Sequence, residues 1–428
     1  MSYSISIVGL GYVGIVHAVG FANLGFKVVG YDIDEVKVER FKKGDPVIYE
    51  EGLNEYLERA LADGKLELTD EIDYAVSGTD VTFVTVGTPS LPDGGVDLSQ
   101  IISASKAIGR SLKLKDRWHL VVIKSTIPPG VTEGLIARIL EEESGMKAFT
   151  DFGLAYNPEF LREGRALKDF FKPDRIVIGV RDERSRDVLL DIYKPIEAPK
   201  VITTPIVAEL SKYASNVFLA VRISLANEIG GVCKALGVDC YEVLNIVGLD
   251  HRIGPHYLRA GLGFGGSCLP KDLKAFIKIA EKLGVKARIA KAALDVNEEQ
   301  PRKVIKLLEK HLGDLKDRRI GVLGLAFKPG TDDVRESRGL EVVRLLLERG
   351  AEVYVNDPKA MEKVKGVLED QVKLIPSPQD LVDSVEAIII ATEWPEYENL
   401  DYRGKIVIDG RRIEKARREA RVYEGLCW

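Results

Sequence analysis

Residues 4–32 read SISIVGLGYVGIVHAVGFANLGFKVVGYD, and this stretch decides the fold. The β-branched run at its start predicts a buried strand, and the apolar periodicity that continues to Asn23 predicts a helix. A second strand should follow and end at Asp32. Between the first strand and the helix lies the loop Gly9-Leu-Gly11-Tyr-Val-Gly14, which has GxGxxG spacing. This order of strand, glycine loop, helix, strand and acid predicts a dinucleotide-binding unit.

The glycines and the acid have separate physical roles in such a unit. Gly9 allows the tight turn, Gly11 lets the backbone approach a pyrophosphate, and Gly14 lets the helix pack on the strand. The helix N-terminus then faces the phosphates. A carboxylate at Asp32 can accept hydrogen bonds from both ribose hydroxyls and would repel a 2′-phosphate, so NAD is favoured over NADP. A plain tight turn is the alternative for the glycine loop taken alone.

Further strands extend this unit and open a second one. The runs at 80–89 (DVTFVTVGTP) and 119–126 (HLVVIKST) predict strands of a parallel sheet with helices on both faces. Near the C-terminus, RRIGVLGLAFKPGTDD returns to a strand and glycine loop without GxGxxG spacing, and GAEVYVNDP predicts a strand that ends at Asp357. The 33 residues between Gly324 and Asp357, against 23 in the first unit, indicate a different ligand.

The middle of the chain has a helical pattern. An apolar stretch of about thirty residues runs from Pro205 to Gly237, which is long for a helix in a globular protein. Such a helix usually spans a domain core or a subunit interface, and more helix is expected through roughly Leu312. The fold class is therefore α/β, with two Rossmann-like doubly wound parallel-sheet domains joined by a central helical domain. The predicted bounds are 1–198, 199–312 and 313–428.

Composition narrows the class of protein. A net charge of −5 argues against nucleic acid as a partner, and the basic stretch 411–421 is interpreted as a solvated helix face. The four cysteines lack metal-ligand or disulfide spacing, so we expect no metal site and a reducing compartment. The apolar runs are too short to span a bilayer, and a strand follows the N-terminus directly, which leaves no room for a signal peptide. These features predict a cytoplasmic enzyme or binding protein without a membrane partner.

One cysteine lies in a flexible loop, GLGFGGSCLPKD, at residues 261–272. The sequence that follows Cys268 predicts a helix, with Pro270 in the first turn and Gly284 at the end. A helix N-terminus and the nearby Lys271 both favour a thiolate, and the glycines leave room for a ligand. Cys268 is thus a candidate nucleophile, and a small buried hydrophobe is the alternative.

Several polar residues are candidates for acid–base chemistry. In YNPEFLREG, Asn157 and Pro158 predict a helix start, with Glu159 and Glu163 one turn apart; helix capping is the alternative to a general base. Lys212 and Asn216 share a face of the long apolar helix, and a buried lysine requires a reason. Thr126 lies at a strand end, where ligands meet parallel sheets.

These motifs together resemble the UDP-glucose/GDP-mannose dehydrogenase family along essentially the whole chain. The matching segments are GLGYVG, VGTP, KSTIPPG, NPEFLREG, AELSKYASN, DHRIG, GFGGSCLPKD, GLAFKPGTDDVRES and IDGRR. The resemblance implies an N-terminal NAD domain, a helical middle whose long helix forms a homodimer, and a C-terminal nucleotide-sugar domain. It also implies a four-electron oxidation of a sugar C6 hydroxyl to a carboxylate with two NAD+ in turn.

The resemblance also implies roles for individual residues. Cys268 would be the nucleophile, and Lys212 and Asn216 would hold the C6 oxygen and stabilise its negative charge. Asp272 would orient or activate water with Lys212, while Glu159 would be the base in thioester hydrolysis with Thr126 holding a water. Residues implied for the cofactor are Gly9, Gly11, Tyr12, Val13, Gly14, Asp32, Lys37, Val86, Gly87, Thr88, Pro89, Thr126, Glu163 and Arg335. Residues implied for the substrate are Glu159, Phe160, Leu161, Glu163, Lys212, Asn216, Arg252, Arg259, Phe264, Gly265, Phe327, Lys328 and Arg411.

Some alternatives stay open at this point. The resemblance allows Arg252 to come from a neighbouring subunit and leaves the choice between Arg411 and Arg412 open. NPEFLREG argues against the N-acetylmannosamine branch and DHRIG against the GDP-mannose branch, which favours UDP-glucose as substrate and UDP-glucuronate, a precursor of polysaccharides, as product. The alternatives are the same chemistry on GDP-mannose or a UDP-N-acetylhexosamine, a two-electron dehydrogenase with a structural cysteine, and a non-catalytic nucleotide-binding module.

Overall fold

A computed structural model describes residues 3–428, so the first two residues of the first predicted domain lie outside the described part. The chain divides into two compact units, Met1–Ala214 and Ser215–Trp428. The long helix predicted for the middle of the chain is present as Pro205–Leu236, and it begins in the first unit and continues into the second. The predicted domain bounds at residues 198 and 312 stay a prediction.

The described part of the first unit contains one eight-stranded sheet. Its strands β1 to β8 are Ser4–Val8, Lys27–Tyr31, Leu66–Thr69, Val81–Val84, Leu120–Ile123, Gly153–Tyr156, Ile176–Gly179 and Lys200–Thr203. They lie in the order β3-β2-β1-β4-β5-β6-β7-β8, which is the doubly wound order. The order reverses between β1 and β4, and in such sheets the ligand binds in the crevice at this point.

Helices connect these strands. Helices α1 to α8 are Tyr12–Asn23, Glu35–Lys42, Leu53–Ala62, Ile72–Ser77, Ser99–Leu112, Ala137–Ser144, Ala166–Phe171 and Glu183–Ile192, and the long helix is α9. A π-helical turn, Thr132–Ile136, leads into α6. The pairings that involve β1 to β6 are parallel, as predicted, except that β6 and β7 meet antiparallel through Tyr156 and Gly179.

The second unit repeats the same architecture after a helical segment. Helices α10 to α16 are Cys240–Gly248, Leu269–Lys282, Arg288–Leu312, Arg338–Leu347, Met361–Leu368, Pro378–Ser384 and Glu414–Glu419. Strands β9 to β14 are Arg319–Leu323, Glu352–Asn356, Lys373–Leu374, Ala387–Ile390, Ile406–Asp409 and Val422–Gly425. Short 3₁₀ turns occur at Glu369–Gln371 and Pro395–Asn399. The strand order β11-β10-β9-β12-β13-β14 again reverses beside the first strand of the unit, and every pairing in this sheet is parallel.

The central strands are apolar along their whole length because helices cover both faces of each sheet. All four residues of β4, β5 and β12 are buried. The sequence therefore shows runs such as LVVI and AIII rather than an alternation of apolar and polar residues. Polar residues appear directly after these strands, so each unit presents its functional loops at the carboxyl edge of its sheet.

The basic stretch 411–421 differs from the prediction. Its helical part is confined to α16, and Arg411 and Arg412 precede that helix in the turn after β13. Their side chains are 17% and 25% exposed, because the turn holds them against carboxylates of the second unit. The interpretation as one solvated helix face was therefore wrong for these two arginines.

Candidate active site

The first glycine loop has the geometry that its spacing predicts. Gly9 has a φ of +95°, and a β-carbon there would lie 2.9 Å from Val86 Cγ1. A β-carbon at Gly14 would lie 1.9 Å from the Gly9 carbonyl oxygen, so a side chain is excluded where helix and strand pack. A β-carbon at Gly11 would meet nothing within 4 Å. The loop is thus closed by protein at two glycines and open to a ligand at the third.

Asp32 lies at the carboxyl end of β2, where a ribose is expected, and it is only 6% exposed. Its Oδ2 accepts hydrogen bonds from the Leu10 amide (2.7 Å) and from Lys37 Nζ (2.9 Å), and its Oδ1 accepts one from the Asp34 amide (3.1 Å). A carboxylate oxygen has two lone pairs, so Oδ1 keeps one acceptor position for a ribose hydroxyl. The open backbone at Gly11 and this carboxylate fit a dinucleotide.

The loop after β4 lies at the reversal point of the sheet. Thr88 donates its hydroxyl to the Thr126 carbonyl oxygen (2.8 Å), which joins the ends of β4 and β5. Gly87 and Pro89 are exposed, whereas Val86 is half-buried against Gly9. The residues that the resemblance implies for the cofactor in this unit therefore surround one edge of the sheet.

Glu50 is a buried carboxylate that sequence reasoning missed. It accepts hydrogen bonds from the hydroxyl of Tyr12 and from the amides of Gly164 (2.8 Å) and Ala166 (2.6 Å). Burial and the hydrogen bond to Glu50 raise the pKa of Tyr12 far above its ordinary value, so the phenol stays protonated and donates. Glu50 thus ties the glycine loop to the segment that carries Glu163.

The segment 157–165 is an irregular loop, and the predicted helix start at Asn157 was wrong. The side chain of Asn157 donates to the Val177 carbonyl (2.7 Å) instead of capping a helix, and Glu159 Oε2 accepts the Leu161 amide (2.7 Å) in a tight turn. The helix begins at Ala166. Glu159 and Glu163 therefore do not lie one helical turn apart.

Glu159 and Lys212 form a buried ion pair in the first unit. Lys212 Nζ lies 2.8 Å from Glu159 Oε1, and the two side chains are 4% and 8% exposed. Burial alone would raise the pKa of Glu159, but the charge and hydrogen bond of Lys212, the Leu161 amide and the charge of Lys124 lower it below its usual value. The buried lysine predicted from the apolar helix thus has a carboxylate partner.

Lys124 is a second buried lysine that sequence reasoning did not select. Burial lowers its pKa to about 7, a shift that Glu159 opposes and Lys212 reinforces. The available signal was a lysine directly after the wholly apolar strand LVVI. A charge at such a position requires a partner or a function.

The glycines of the cysteine loop are required by protein packing. A β-carbon at Gly261 would lie 2.3 Å from the Gly410 carbonyl oxygen, and one at Gly263 would lie 2.3 Å from Asn297 Oδ1. At Gly265 and Gly266 it would meet the Glu336 carbonyl oxygen (2.3 Å) and the Phe327 ring (2.7 Å). These glycines therefore bring the backbone against other parts of the second unit, and the room that they leave for a ligand stays a prediction.

Asn297 holds this loop in place, and it was also missed. Its Oδ1 accepts the Phe264 amide (2.7 Å), and its Nδ2 donates to the Phe264 carbonyl oxygen (3.0 Å). The Phe264 carbonyl keeps one lone pair, and the predicted contact of Phe264 and Gly265 with the sugar stays a prediction.

Cys268 immediately precedes α11, with Pro270 in the first turn, as predicted. It is exposed, whereas Cys233, Cys240 and Cys427 are buried. Burial raises the pKa of Cys240 to about 12 and that of Cys427 to about 11, so these thiols stay protonated at neutral pH. Position and exposure both set Cys268 apart from the other three cysteines, and they are the features expected of a reactive thiol.

Asp272 lies in the first turn of α11 and is 1% exposed. Its Oδ1 accepts Lys271 Nζ (2.6 Å), and its Oδ2 accepts Asn216 Nδ2 (2.6 Å). The second unit thus brings together Asn216 and Asp272, two of the predicted catalytic residues. Lys271, which was expected to favour the thiolate, forms an ion pair with Asp272.

In the second unit, Asp357 is fully hydrogen-bonded by the surrounding protein. Asp357 accepts hydrogen bonds from the Leu325 and Ala326 amides and from Trp394 Nε1, and its other oxygen accepts two further amides. Five donors leave this carboxylate no free position for ribose hydroxyls. This arrangement is consistent with the prediction, made from residue spacing, that the second unit binds a different ligand from the first.

Arg411 and Arg412 have different partners. Arg412 is committed to Asp239 (2.8 Å) and lies over the Tyr241 ring, 4.7 Å from its centroid. Arg411 donates its Nε to the Ala391 carbonyl (2.7 Å) beside the turn after β12. Arg411 is therefore the better placed of the two to meet a ligand at the carboxyl edge of the second sheet.

The remaining candidate residues lie at or near the surface of the second unit. Arg252 is 78% exposed and pairs with Asp250, Arg259 is 3.7 Å from Glu393, and Arg335 pairs with Asp333. Lys328 Nζ lies 5.4 Å from the Phe327 ring centroid. Across residues 3–428 we find no cluster of side chains that could hold a metal ion, and no helix there has the length and apolarity needed to cross a membrane.

Three models of the UDP-glucose/GDP-mannose dehydrogenase family match this chain in succession. The NAD binding domain matches residues 3–197, the central domain 206–299 and the UDP binding domain 321–416.

Individual proteins are similar over nearly the full length. A solved UDP-glucose dehydrogenase from the hyperthermophilic archaeon Pyrobaculum islandicum is 60% identical with a TM-score of 0.98, over 100% of this chain and 98% of that one. The curated UDP-glucose 6-dehydrogenase AglM of Haloferax volcanii is 44% identical over 99% of both chains. A solved UDP-D-ManNAc dehydrogenase from Pyrococcus horikoshii is 31% identical with a TM-score of 0.87, over 99% of both chains.

Proposed function

The chain belongs to the UDP-glucose/GDP-mannose dehydrogenase family and is an NAD-dependent dehydrogenase, and we propose that it oxidises UDP-glucose at C6 to UDP-glucuronate through a thioester on Cys268. The observation that carries this proposal is the contrast among the cysteines. Cys268 is exposed at a helix N-terminus, whereas the other three thiols are buried. A thiol is not needed to oxidise an alcohol to an aldehyde, but it allows an aldehyde to be oxidised to an acid.

The first oxidation removes a hydride and a proton from the C6 alcohol. When bound, NAD+ supplies the hydride acceptor, and it does so twice per sugar. Gly9, Gly11 and Asp32 would hold the dinucleotide, with Lys37 and the loop Val86–Pro89 beside it. Lys212 and Asn216 would hold the C6 oxygen and stabilise its developing negative charge.

The second oxidation requires Cys268. The thiol sulfur adds to the aldehyde carbon, and the thiol proton passes to the carbonyl oxygen, which gives a thiohemiacetal. Loss of a second hydride and of the hydroxyl proton leaves a thioester. Because the aldehyde is covalently held between the two oxidations, the substrate stays bound until both are complete.

Hydrolysis ends the cycle. Water adds to the thioester carbon, one water proton goes to Glu159, and the C–S bond breaks with sulfur leaving as the thiolate. Thr126 would hold the water, and Asp272 would orient or activate it with Lys212. The ion pair of Glu159 with Lys212 supports this role, because it holds the carboxylate as an anion in a fixed orientation.

We propose that residues of both units recognise the substrate. Glu159, Phe160, Leu161 and Glu163 of the first unit would contact the sugar nucleotide, with Glu163 at its junction with the cofactor. In the second unit the proposed contacts are Arg252, Arg259, Phe264, Gly265, Phe327, Lys328 and Arg411, and Arg335 would contact the cofactor. The proposed domains are 1–198 for NAD, 199–312 for dimerisation and the cysteine loop, and 313–428 for the nucleotide sugar.

We further propose a homodimer through α9. Phe218, Leu225 and Val232 recur every seven residues on this helix and are 67%, 52% and 59% exposed. Large apolar side chains that repeat at this spacing form a continuous stripe on one helix face. Exposed apolar stripes of this kind mark interaction surfaces.

The choice of UDP-glucose is tested by substrate comparison. NADH formation is measured with UDP-glucose, UDP-N-acetylmannosamine, UDP-N-acetylglucosamine and GDP-mannose at equal concentrations. We expect UDP-glucose to have the highest kcat/KM. A higher kcat/KM for one of the other three sugars would move the proposal to that substrate, and no NADH with any of them would contradict it.

A further inference from the structure

Lys124 lies directly after β5 and is 3% exposed, so its ammonium group is inside the first unit. Its Nζ donates to Asn157 Oδ1 (2.8 Å) and to the Asn157 carbonyl oxygen (3.2 Å), and it lies 3.4 Å from the Tyr193 hydroxyl. The ammonium is also 5.9 Å from the ring centroids of Phe83 and Tyr193. Within the described residues no carboxylate lies within 4 Å of it. Burying a lysine whose hydrogen-bond partners are all neutral is costly, so its presence requires a reason.

A reason for the buried lysine is that its hydrogen bonds fix the position of Asn157. Asn157 also receives the Tyr193 hydroxyl on its Oδ1 (2.5 Å), donates its Nδ2 to Val177 and donates its backbone amide to Ile123. Every polar group of Asn157 is therefore engaged, and two of its acceptors depend on Lys124. These bonds do not require the charge of the lysine, because a neutral amine also donates.

Asn157 begins the turn that carries Glu159. Pro158 fixes the backbone between them, and Glu159 Oε2 accepts the Leu161 amide. Lys124 and Glu159 line one cavity of about 60 Å³, which has room for water. We propose that Lys124 is a positioning residue for the hydrolytic step, which holds the Asn157–Glu159 turn so that the Glu159 carboxylate faces the water that it deprotonates.

This inference rests on the proposed function, because it assigns Lys124 a role only through Glu159. The step concerned is the last one: water oxygen bonds to the thioester carbon, its proton goes to Glu159, and the thiolate of Cys268 leaves. Both hydride transfers precede it. Loss of Lys124 should therefore slow hydrolysis and spare the two oxidations.

The test is pre-steady-state NADH formation by Lys124→Met with saturating UDP-glucose and NAD+. We expect a burst of two NADH per active chain at near wild-type rate, followed by steady-state turnover reduced by at least about tenfold, since a general base contributes about 10²- to 10⁴-fold. Mass spectrometry should find the sugar nucleotide attached at Cys268. The double variant with Glu159→Gln should turn over no more slowly than Glu159→Gln alone, because both act on one step.

Lys115→Met is the matched control. Lys115 is also buried enough for its pKa to fall to about 8, but its Nζ donates to the backbone carbonyls of Val76, Ser77 and Thr79 at the end of α4. We expect this variant to keep both the burst and the steady-state rate. If Lys124→Met fails to fold, Tyr193→Phe replaces it, because this variant removes a hydroxyl hydrogen bond to Asn157 without removing a charge. We expect it to keep the burst rate and to lower the steady-state rate, but by less than Lys124→Met.

The contradicting results are distinct. Equal slowing of burst and steady state by the Lys124 or Tyr193 variant would show a merely structural role, and unchanged turnover would show no role. Failure of the proposed function would appear in the wild type itself, as one NADH per sugar.

Discussion

The proposed chemistry depends on one sulfur atom. Cys268→Ser keeps the size of the side chain, but a serine hydroxyl is a poor nucleophile without a dedicated base, and an ester hydrolyses more slowly than a thioester. We expect near wild-type binding of UDP-glucose and a fall in turnover of several orders of magnitude. Steady-state NADH formation and mass spectrometry of protein trapped with substrate check this.

The buried thiols provide the controls. Cys233→Ser and Cys427→Ser should leave the chemistry nearly intact, since both side chains are buried and play no part in the proposed steps. If Cys268→Ser still produces two NADH per sugar at near wild-type rate, the thiol is structural.

Asp32 should determine the choice of cofactor. Its Oδ1 has one free acceptor position for a ribose hydroxyl, and its charge repels a 2′-phosphate. Asp32→Ala should therefore raise the KM for NAD+ and narrow the preference over NADP+, as measured by kcat/KM for both cofactors. A wild-type preference for NADP+ would contradict this assignment.

The positions of residues in the first glycine loop, at a strand end and at a helix start could be predicted, and the residues that fix the loops could not. Gly11, Asp32 and Cys268 occupy positions defined by local spacing. By contrast, Glu50 and Asn297 act through hydrogen bonds to segments more than thirty residues away in sequence. No local pattern distinguishes such an acid or amide from an ordinary surface residue.

Among the elements, the long helix carries the clearest expectation. Replacing Leu225 with Glu would place a charge in the middle of the exposed apolar stripe of α9, and a dimer interface would have to bury it unpaired. We expect wild type to scatter light as twice its chain mass of 47.3 kDa and the variant to shift toward the monomer.

Leu114→Glu is the control for this substitution. Leu114 is 64% exposed in the first unit, outside α9, so its replacement should leave the mass unchanged. A wild-type protein that is monomeric at assay concentration would contradict the proposed interface.

Strands and long helices followed from the sequence more closely than loops did. β1 occupies the β-branched run at the start of the opening stretch, and α9 ends one residue before Gly237, because burial dictates their apolar patterns. Segment 157–165 resembled a helix start because Asn, Pro and Glu are in capping order. It remains a loop because distant groups bind its polar atoms: Lys124 donates to the Asn157 side chain, and Glu50 accepts the Gly164 amide.

At the scale of the whole molecule, buried histidines should make stability depend on pH. Burial lowers the pKa of His119 to about 3 and that of His17 well below its usual value. The unfolded chain then binds more protons than the folded chain below about pH 6.5, so the free energy of unfolding falls as the pH falls. For one such histidine the loss by pH 5 is about 2 kcal/mol.

The contribution of one histidine is obtained as a difference between variants. His119→Gln should lose part of the pH dependence between pH 6.5 and 5, as measured by urea denaturation. His251, whose side chain is 94% exposed, is the control, and His251→Gln should follow the wild-type curve. Parallel curves for wild type and His119→Gln would show that His119 titrates normally when folded. Comparing variants also removes the opposing contribution of Asp409, whose pKa burial raises to about 6.

The central claim is that one chain performs two oxidations on one sugar. A limiting, known amount of UDP-glucose is converted to completion with excess NAD+, and the NADH formed is measured by absorbance. We expect two NADH per UDP-glucose and UDP-glucuronate as the product. One NADH per sugar, with the aldehyde released, would contradict it and leave Cys268 a structural residue.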